Sequence, residues 1–152
     1  MLRLLDYLKT LPVNISIIDK IEADDTIAYL SKKLKDDIII YSADQDFLQL
    51  VNKRITVYSP IKKKFYKPQD VFDQYGLYPQ NFITMKCLMG DKSDNLPGVK
   101  GLGPKKLFKY FPELETNKKF TLKEAYDKAT EKVEEHGIYG NVHLFKQQLE
   151  IN

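Results

Sequence analysis

An α/β fold, a small sheet with a helical region after it, is predicted from three features of the chain. Apolar patterning runs strand, helix, strand, helix, strand up to residue 58, the order of a sheet with crossover helices. The run Asp37-Ile38-Ile39-Ile40-Tyr41 is continuously apolar after its first residue, which marks a strand buried in a parallel sheet. Beyond Pro68 the pattern is mostly helical, so a soft boundary there divides 1–67 from 68–152. A chain of 152 residues is long enough for one core, or a core with a small appendage.

Leu4, Leu5, Leu8 and Leu11 stand near helical spacing and Pro12 stops the run, predicting a short helix over 2–11. Residues 13–18 alternate around Asn14 and Ser16 and are rich in β-branched side chains, predicting a strand. Ile21, Ile27, Leu30 and Leu34 follow a helical period over 22–35. After the strand at 37–41 come a short helix over 44–51 and a strand over 54–58. Ser59-Pro60 then turns the chain into 63–66, the return arm of a hairpin. Pro68 begins a helix through Tyr75, ended by Gly76. Residues 79–89 form a helix with Phe82, Ile83, Met85, Cys87, Leu88 and Met89 mostly inward. A Gly-rich segment leads to a helix over 104–110, and a loop is expected over 112–117. Residues 121–136 form a charged helix with Leu122, Ala125, Tyr126, Ala129 and Val133 on one face, stopped at His136-Gly137. A last short helix is expected over 141–149.

Composition narrows the function. One cysteine, Cys87, excludes an internal disulfide and a cysteine-rich zinc site, and agrees with a reducing compartment. No apolar run approaches the roughly 18 residues that span a bilayer, and MLRLLDYLKTL is too short and too charged for a signal peptide. A cytoplasmic protein with no membrane partner is expected. Net charge is only +3, but residues 1–111 carry 18 Lys/Arg against 13 Asp/Glu. Seven of those acids fall in three clusters, Glu22/Asp24/Asp25, Asp44/Asp46 and Asp91/Asp94. A basic body with acid concentrated at a few points suits a metal-dependent enzyme acting on a polyanion.

The first cluster follows the predicted strand at 13–18, where ligands bind in open α/β sheets. Acids in a helix first turn also complement its dipole, for about 0.3–1 kcal/mol each. Three acids in four residues exceed that need, because they repel one another. The second cluster follows the next strand, and Ser42 and Gln45 match the S-x-x-Q capping box. A capping box asks for neither Asp44 nor Asp46. The folded sheet should bring both clusters to one edge, with Asp91 and Asp94 completing the site from the helical side. Carboxylate oxygens suit Mg²⁺ or Mn²⁺, and two such ions can activate a water and stabilise the leaving oxygen of a phosphodiester. His136 and His143 lie too late in the chain to serve widely.

The stretch GDKSDNLPGVKGLGPKKLFKYF over 90–111 joins acid at one end to base at the other. Its glycines let the backbone reach φ > 0 and approach a ligand closely. Pro104 fits the first turn of a helix whose N-terminus can hold an anion. Lys100, Lys105, Lys106 and Lys109 add positive charge around it. A solvated turn before a surface helix would have the same Gly-Pro content; the acid clusters favour a phosphate-backbone contact.

EADD over 22–25, SADQDFLQLV over 42–51 and FYKPQDVFDQYGLYPQNFITMKCLMGDKSDNLPGVKGLGPKKL over 65–107 resemble the 5′ nuclease family. This family includes phage 5′–3′ exonucleases, the 5′ nuclease domain of bacterial DNA polymerase I, and flap endonucleases of replication and repair. The resemblance covers roughly 13–111. It implies the C-terminal part of an incomplete PIN-like parallel sheet, then a helix–three-turn–helix DNA-binding element over about 79–111 and charged C-terminal helices. It implies that Glu22, Asp24, Asp25, Asp44, Asp46, Asp91 and Asp94 hold two Mg²⁺ or Mn²⁺ ions, with Asp24, Asp44, Asp46 and Asp94 catalytic. It also implies that Gly98, Val99, Lys100, Gly101, Gly103, Lys105 and Lys106 bind the DNA backbone, usually with a potassium ion at that loop.

The resemblance leaves out the family's first strand, two early acids and a basic helical arch, which precede the matching region. The expected function is cleavage near 5′ ends or flaps of duplex or branched DNA, or of RNA in hybrids. A separate N-terminal segment would complete the core, and the isolated chain is expected to be weak or inactive. The alternative is a structure-selective DNA-binding module without its catalytic half.

Overall fold

The computed structural model describes residues 2–93 and 95–136, with the backbone alone for residue 2 and for 132–136. Asp94, Gly137 and the helix expected over 141–149 lie outside the described residues, as does the side chain of Val133. The chain forms two compact units, Met1–Lys35 and Asp36–Asn152. Among the described residues no helix is long and apolar enough to cross a membrane.

The first unit holds α1 (Leu2–Leu8) and α2 (Ala23–Lys33). The helix predicted over 2–11 ends early, in a turn where the Thr10 hydroxyl donates to the Tyr7 carbonyl at 2.7 Å. Residues 13–18 are not a strand. A strand exists by hydrogen bonding to a neighbour, and no described residue pairs with this run. Its Ile17 is 77% exposed. The expectation that a sheet carries the first acid cluster therefore fails at its strand, while the helix behind the cluster forms as read.

The second unit begins with a mixed sheet of β1 (Ile38–Tyr41), β2 (Ile55–Ser59) and β3 (Lys64–Tyr66), in that order. β1 and β2 run parallel with Ile38 opposite Ile55, and β2 meets β3 antiparallel with Val57 opposite Tyr66. Ile40, Ile55, Val57 and Tyr66 are buried, whereas Ile39 and Tyr41 are 65% and 71% exposed. β1 is thus covered on one face only, which corrects the reading of a buried strand. Its apolar run reflects an edge strand whose outer side chains join the row Tyr41, Tyr58, Phe65, with ring centroids 5.2 and 4.7 Å apart.

The helical part follows. α3 (Pro68–Tyr75) starts where Asp70 accepts from the Lys67 N–H at 3.0 Å and ends at Gly76, whose φ of 73° is the left-handed stop. A 3₁₀ turn, Pro79–Asn81, leads into α4 (Phe82–Met89). Phe82 and Leu88 are buried, but Ile83 is 56% exposed and Cys87 is exposed too, so fewer side chains of α4 point inward than expected. A two-stranded ribbon, β4 (Gly90–Asp91) with β5 (Leu96–Pro97), opens the Gly-rich segment, and sequence pattern gave no sign of it. Then come α5 (Pro104–Tyr110), a 3₁₀ turn at Pro112–Glu115 where a loop was expected, and α6 (Leu122–His136). Thr121 and Glu124 start α6 reciprocally: the Glu124 N–H donates to the Thr121 hydroxyl, and the Thr121 N–H donates to the Glu124 carboxylate. Leu88, Val99, Leu107, Phe111, Leu114, Phe120, Ala125 and Ala129 form one buried cluster joining these elements.

A buried amide ties this cluster together. Asn81, fully buried, donates through Nδ2 to the carbonyls of Leu114, Thr116 and Lys118 at 3.0–3.2 Å. Its Oδ1 accepts from the Phe120 N–H at 2.8 Å, and Thr84 donates to the Phe120 carbonyl at 2.7 Å. A turn that cannot pair with helix or sheet is thereby satisfied in the interior. Replacing Asn81 with Ala strands these groups, and should lower unfolding free energy by about 2–4 kcal/mol. Denaturant unfolding of the variant checks this, and a loss below about 0.5 kcal/mol would refute it.

Candidate metal centre and nucleic-acid loop

The second acid cluster sits off the end of β1 and is built by its own backbone. Asp44 is the N-cap of the 3₁₀ helix Gln45–Leu50, its Oδ1 accepting from the Asp46 N–H at 2.8 Å. Ser42 does not cap this helix; its Oγ accepts from the Asp44 N–H at 3.1 Å. Gln45 accepts from the Tyr75 hydroxyl at 2.8 Å. The capping box read from Ser42 and Gln45 is therefore absent, because the 3₁₀ helix starts two residues later, with Asp44 as its N-cap. Burial, ahead of the other influences, raises the Tyr75 phenol above its ordinary value, so it is held as a donor.

Asp91 arrives from the other side, on β4. The ribbon turns it inward through two glycines. Gly90 has φ 76°, and a Cβ there would stand 2.2 Å from the Gly98 nitrogen; a Cβ at Gly98 would stand 2.0 Å from the Met89 carbonyl. Only glycine allows the two backbones to touch in this way. The Asp91 Oδ1 accepts from the Ser93 N–H at 2.9 Å and also from the Ser93 hydroxyl.

Between the two acids stands a residue that sequence reasoning missed. The Lys86 ammonium on α4 donates to Asp91 Oδ2 at 2.6 Å and to Asp46 Oδ1. Burial pulls the Lys86 pKa down, but its hydrogen bonds to Asp46 and Asp91 outweigh that and leave it raised. Asp91 is held well below its ordinary 3.8, first by Lys86 and then by the Ser93 hydroxyl and N–H. The signal was present: Lys86 is the only charge in the otherwise apolar FITMKCLM of α4. Asp44, Asp46, Lys86 and Asp91 line an open hollow of about 500 Å³, with Tyr75 and Ser93 at its rim.

Of the predicted ligands, the structure brings Asp44, Asp46 and Asp91 together around this hollow. Glu22, Asp24 and Asp25 belong to the other unit, Met1–Lys35, at the start of α2 where Asp24 and Asp25 occupy the first turn. Asp94 lies outside the described residues. Among those residues no group of three or more His, Cys, Asp or Glu side chains is drawn together as a metal site.

The loop after the ribbon is anchored from beneath and open above. Val99 is buried and its N–H donates to the Leu88 carbonyl at 2.9 Å. Gly101 has φ 79°, and Gly103, the N-cap of α5, has φ −92° with open space around it. Lys100, Lys105 and Lys106 are all exposed around this turn. Gly98 is half-buried at the ribbon crossing, whereas Gly101 and Gly103 are exposed.

These features converge with the chain's relatives. The family described as 5′-3′ exonuclease, N-terminal resolvase-like domain, matches residues 2–76. The 5′-3′ exonuclease of Aquifex aeolicus is 41% identical over 87 residues, covering 55% of this chain and 30% of that protein. DNA polymerase I of Bacillus subtilis is 42% identical over 108 residues, covering 64% of this chain and 12% of the polymerase. Over these stretches the chain is similar to members of the 5′ nuclease family. It spans less than a third of the length of either relative. In fold it is similar to a bacteriophage T5 flap endonuclease solved as a pseudo-enzyme-product complex with DNA and metal ions. That likeness has a TM-score of 0.75 at 23% identity, over 97% of this chain and 52% of the phage protein. A T5 5′-exonuclease with bound divalent zinc ions has the same fold, with a TM-score of 0.70 at 23% identity, over 95% of this chain and 52% of its own.

The Asp91 bonds predict an acid response. A carboxyl with a lowered folded pKa stabilises the fold above its unfolded value, and that stability is lost as pH falls through the folded value. Between about pH 5 and pH 2 the wild-type chain should lose stability more steeply than Asp91→Asn, which has no carboxyl to protonate there. Thermal melts across that range check the slope, and parallel curves would show that Asp91 is not held as described.

Proposed function

We propose that this chain is part of a divalent-metal-dependent 5′–3′ exonuclease or flap-type endonuclease. It binds duplex or 5′-branched DNA, RNA–DNA hybrids included, and cleaves phosphodiester bonds near 5′ ends. The observation that carries this reading is that Asp44, Asp46 and Asp91 line one hollow, where the Lys86 ammonium bridges Asp46 and Asp91. Carboxylate oxygens around an open, partly wet hollow are the donors that Mg²⁺ or Mn²⁺ takes, and the Lys86 ammonium is a stand-in for positive charge there. Asp44, Asp46 and Asp94 would hold one ion, with Asp91 beside them. Glu22, Asp24 and Asp25 would share a second with ligands from elsewhere. Bound there, the ions supply an activated water and stabilise the leaving oxygen.

The chain's own part is to fix geometry. Asp44 is locked by its cap bond, and Asp91 by Ser93 and the ribbon, so neither needs to be ordered when substrate arrives. The loop over 98–106, with a potassium ion in the family resemblance, holds the DNA backbone through exposed N–H groups and lysines. Residues 13–18 form no regular element and expose Val13, Ile15, Ile17 and Ile18, and β1 exposes Ile39 and Tyr41. A strand from a separate N-terminal segment, paired along β1, would cover Ile39 and Tyr41 and bring further acids. The second reading, a DNA-binding module without catalysis, draws on the absence of a three-carboxylate group among the described residues.

A labelled 5′-flap duplex incubated with the chain in Mg²⁺ or in EDTA separates the readings. Slow cleavage that EDTA and Asp44→Asn both abolish is expected. Cleavage that persists in EDTA would overturn the metal mechanism, and binding with no cleavage would select the second reading. Replacing Lys105 and Lys106 with Gln should weaken binding about equally across sequences. It should also flatten the log–log salt dependence by up to ~2 units. Unchanged affinity and slope in a filter-binding titration would remove the loop from the interface.

A further inference from the structure

We propose that Lys86 is an internal counter-ion that competes with the divalent cation for Asp46 and Asp91, and so sets the ion concentration at which the site loads. The inference rests on the metal reading above and adds a residue to it. Asp46 and Asp91 come from separate elements, 40 and 5 residues from Lys86 in the chain, and its ammonium bridges them. The Lys86 side chain is 26% exposed and that of Asp91 14%, so the contact is sheltered but opens onto the hollow.

An ion binding these carboxylates meets the ammonium already held at Asp46 Oδ1 and Asp91 Oδ2. Two cations held this close repel each other, even in a hollow open to water, so each weakens the other's hold on the acids. Loading therefore expels Lys86, whose four-carbon stem is flexible enough to swing into the hollow. The effect is reciprocal: whatever the ion loses by expelling Lys86 is the amount by which Lys86 weakens the ion. In the metal-free chain the same ammonium relieves repulsion between the acids and so ties the ribbon to the 3₁₀ helix Gln45–Leu50.

The test is Mn²⁺ binding to the full 152-residue chain, followed by the paramagnetic resonance signal of free Mn²⁺. Lys86→Met keeps the stem and removes the charge, and should bind Mn²⁺ about tenfold more tightly, equivalent to ~1.4 kcal/mol. Lys92→Met removes a charge from an exposed lysine lining the same hollow and should change affinity less than about twofold, since a solvated charge is screened. Lys86→Gln should repeat the gain seen with Lys86→Met, guarding against a single poorly folded variant, and circular dichroism melts check each fold. Without Mn²⁺ both Lys86 variants should melt below wild type, and saturating Mn²⁺ should raise their melting points more than it raises wild type. Affinity in Lys86→Met and Lys86→Gln equal to wild type, or matched by Lys92→Met, would overturn the counter-ion while leaving the metal reading standing. Failure of every variant and of wild type to bind Mn²⁺ would overturn both.

Discussion

The close crossing of backbone at Gly90 and Gly98 is the constraint on which the site depends. The two residues pack so tightly that a Cβ on either one would fall within 2.2 Å of the other's strand or of the Met89 carbonyl. Such an approach folds the chain back on itself directly after α4, and makes β4 and β5 pair as a ribbon. Asp91 is the first residue beyond the crossing, so its direction is set by backbone geometry rather than by a flexible side chain. The same crossing delivers Val99 to the core, where its N–H meets the Leu88 carbonyl. One contact thus positions a carboxylate on one side and a lysine-bearing loop on the other.

α4 transmits that constraint to the rest of the unit. Successive positions along it do different work. Thr84 and the preceding Asn81 hold the turn before α6, Lys86 reaches the two acids, and Leu88 enters the core. A short helix can serve three neighbours because its 3.6-residue period turns each position toward a different partner. The cost is that few of its residues are free to vary: a change of charge at 86 or of volume at 88 acts on a different structure in each case.

Most of the framework was legible in the sequence because it is local. Pro68 and Gly76 bracket α3, and Pro104 starts α5 behind Gly103, each through backbone chemistry that one residue dictates. The acids at 44, 46 and 91 stood out in the sequence as clusters, and the structure lines one hollow with all three. What the sequence hid depends on distant partners. Residues 13–18 have the composition of a strand, yet pairing is a property of two segments, and composition supplies one. β1 looked buried because an apolar run cannot tell an edge strand with an exposed face from a central one. Ser42 lost its cap role to Asp44 because both side chains fit the pattern and only geometry chooses between them. Lys86 was passed over because a lysine on an apolar helix carries no motif, although a buried charge requires a partner.

Comparative unfolding of two glycine variants tests the backbone crossing most directly. Gly98→Ala places a Cβ 2.0 Å from the Met89 carbonyl carbon and oxygen, whereas Gly103→Ala meets nothing within 4 Å at a φ of −92°. Urea unfolding should show Gly98→Ala destabilised by more than about 3 kcal/mol or failing to fold, since only backbone movement can relieve the clash. Gly103→Ala should lose no more than about 1 kcal/mol, the scale of a weakened helix cap. Equal and small losses in both variants would contradict the crossing, and with it the geometry that aims Asp91 at Asp46.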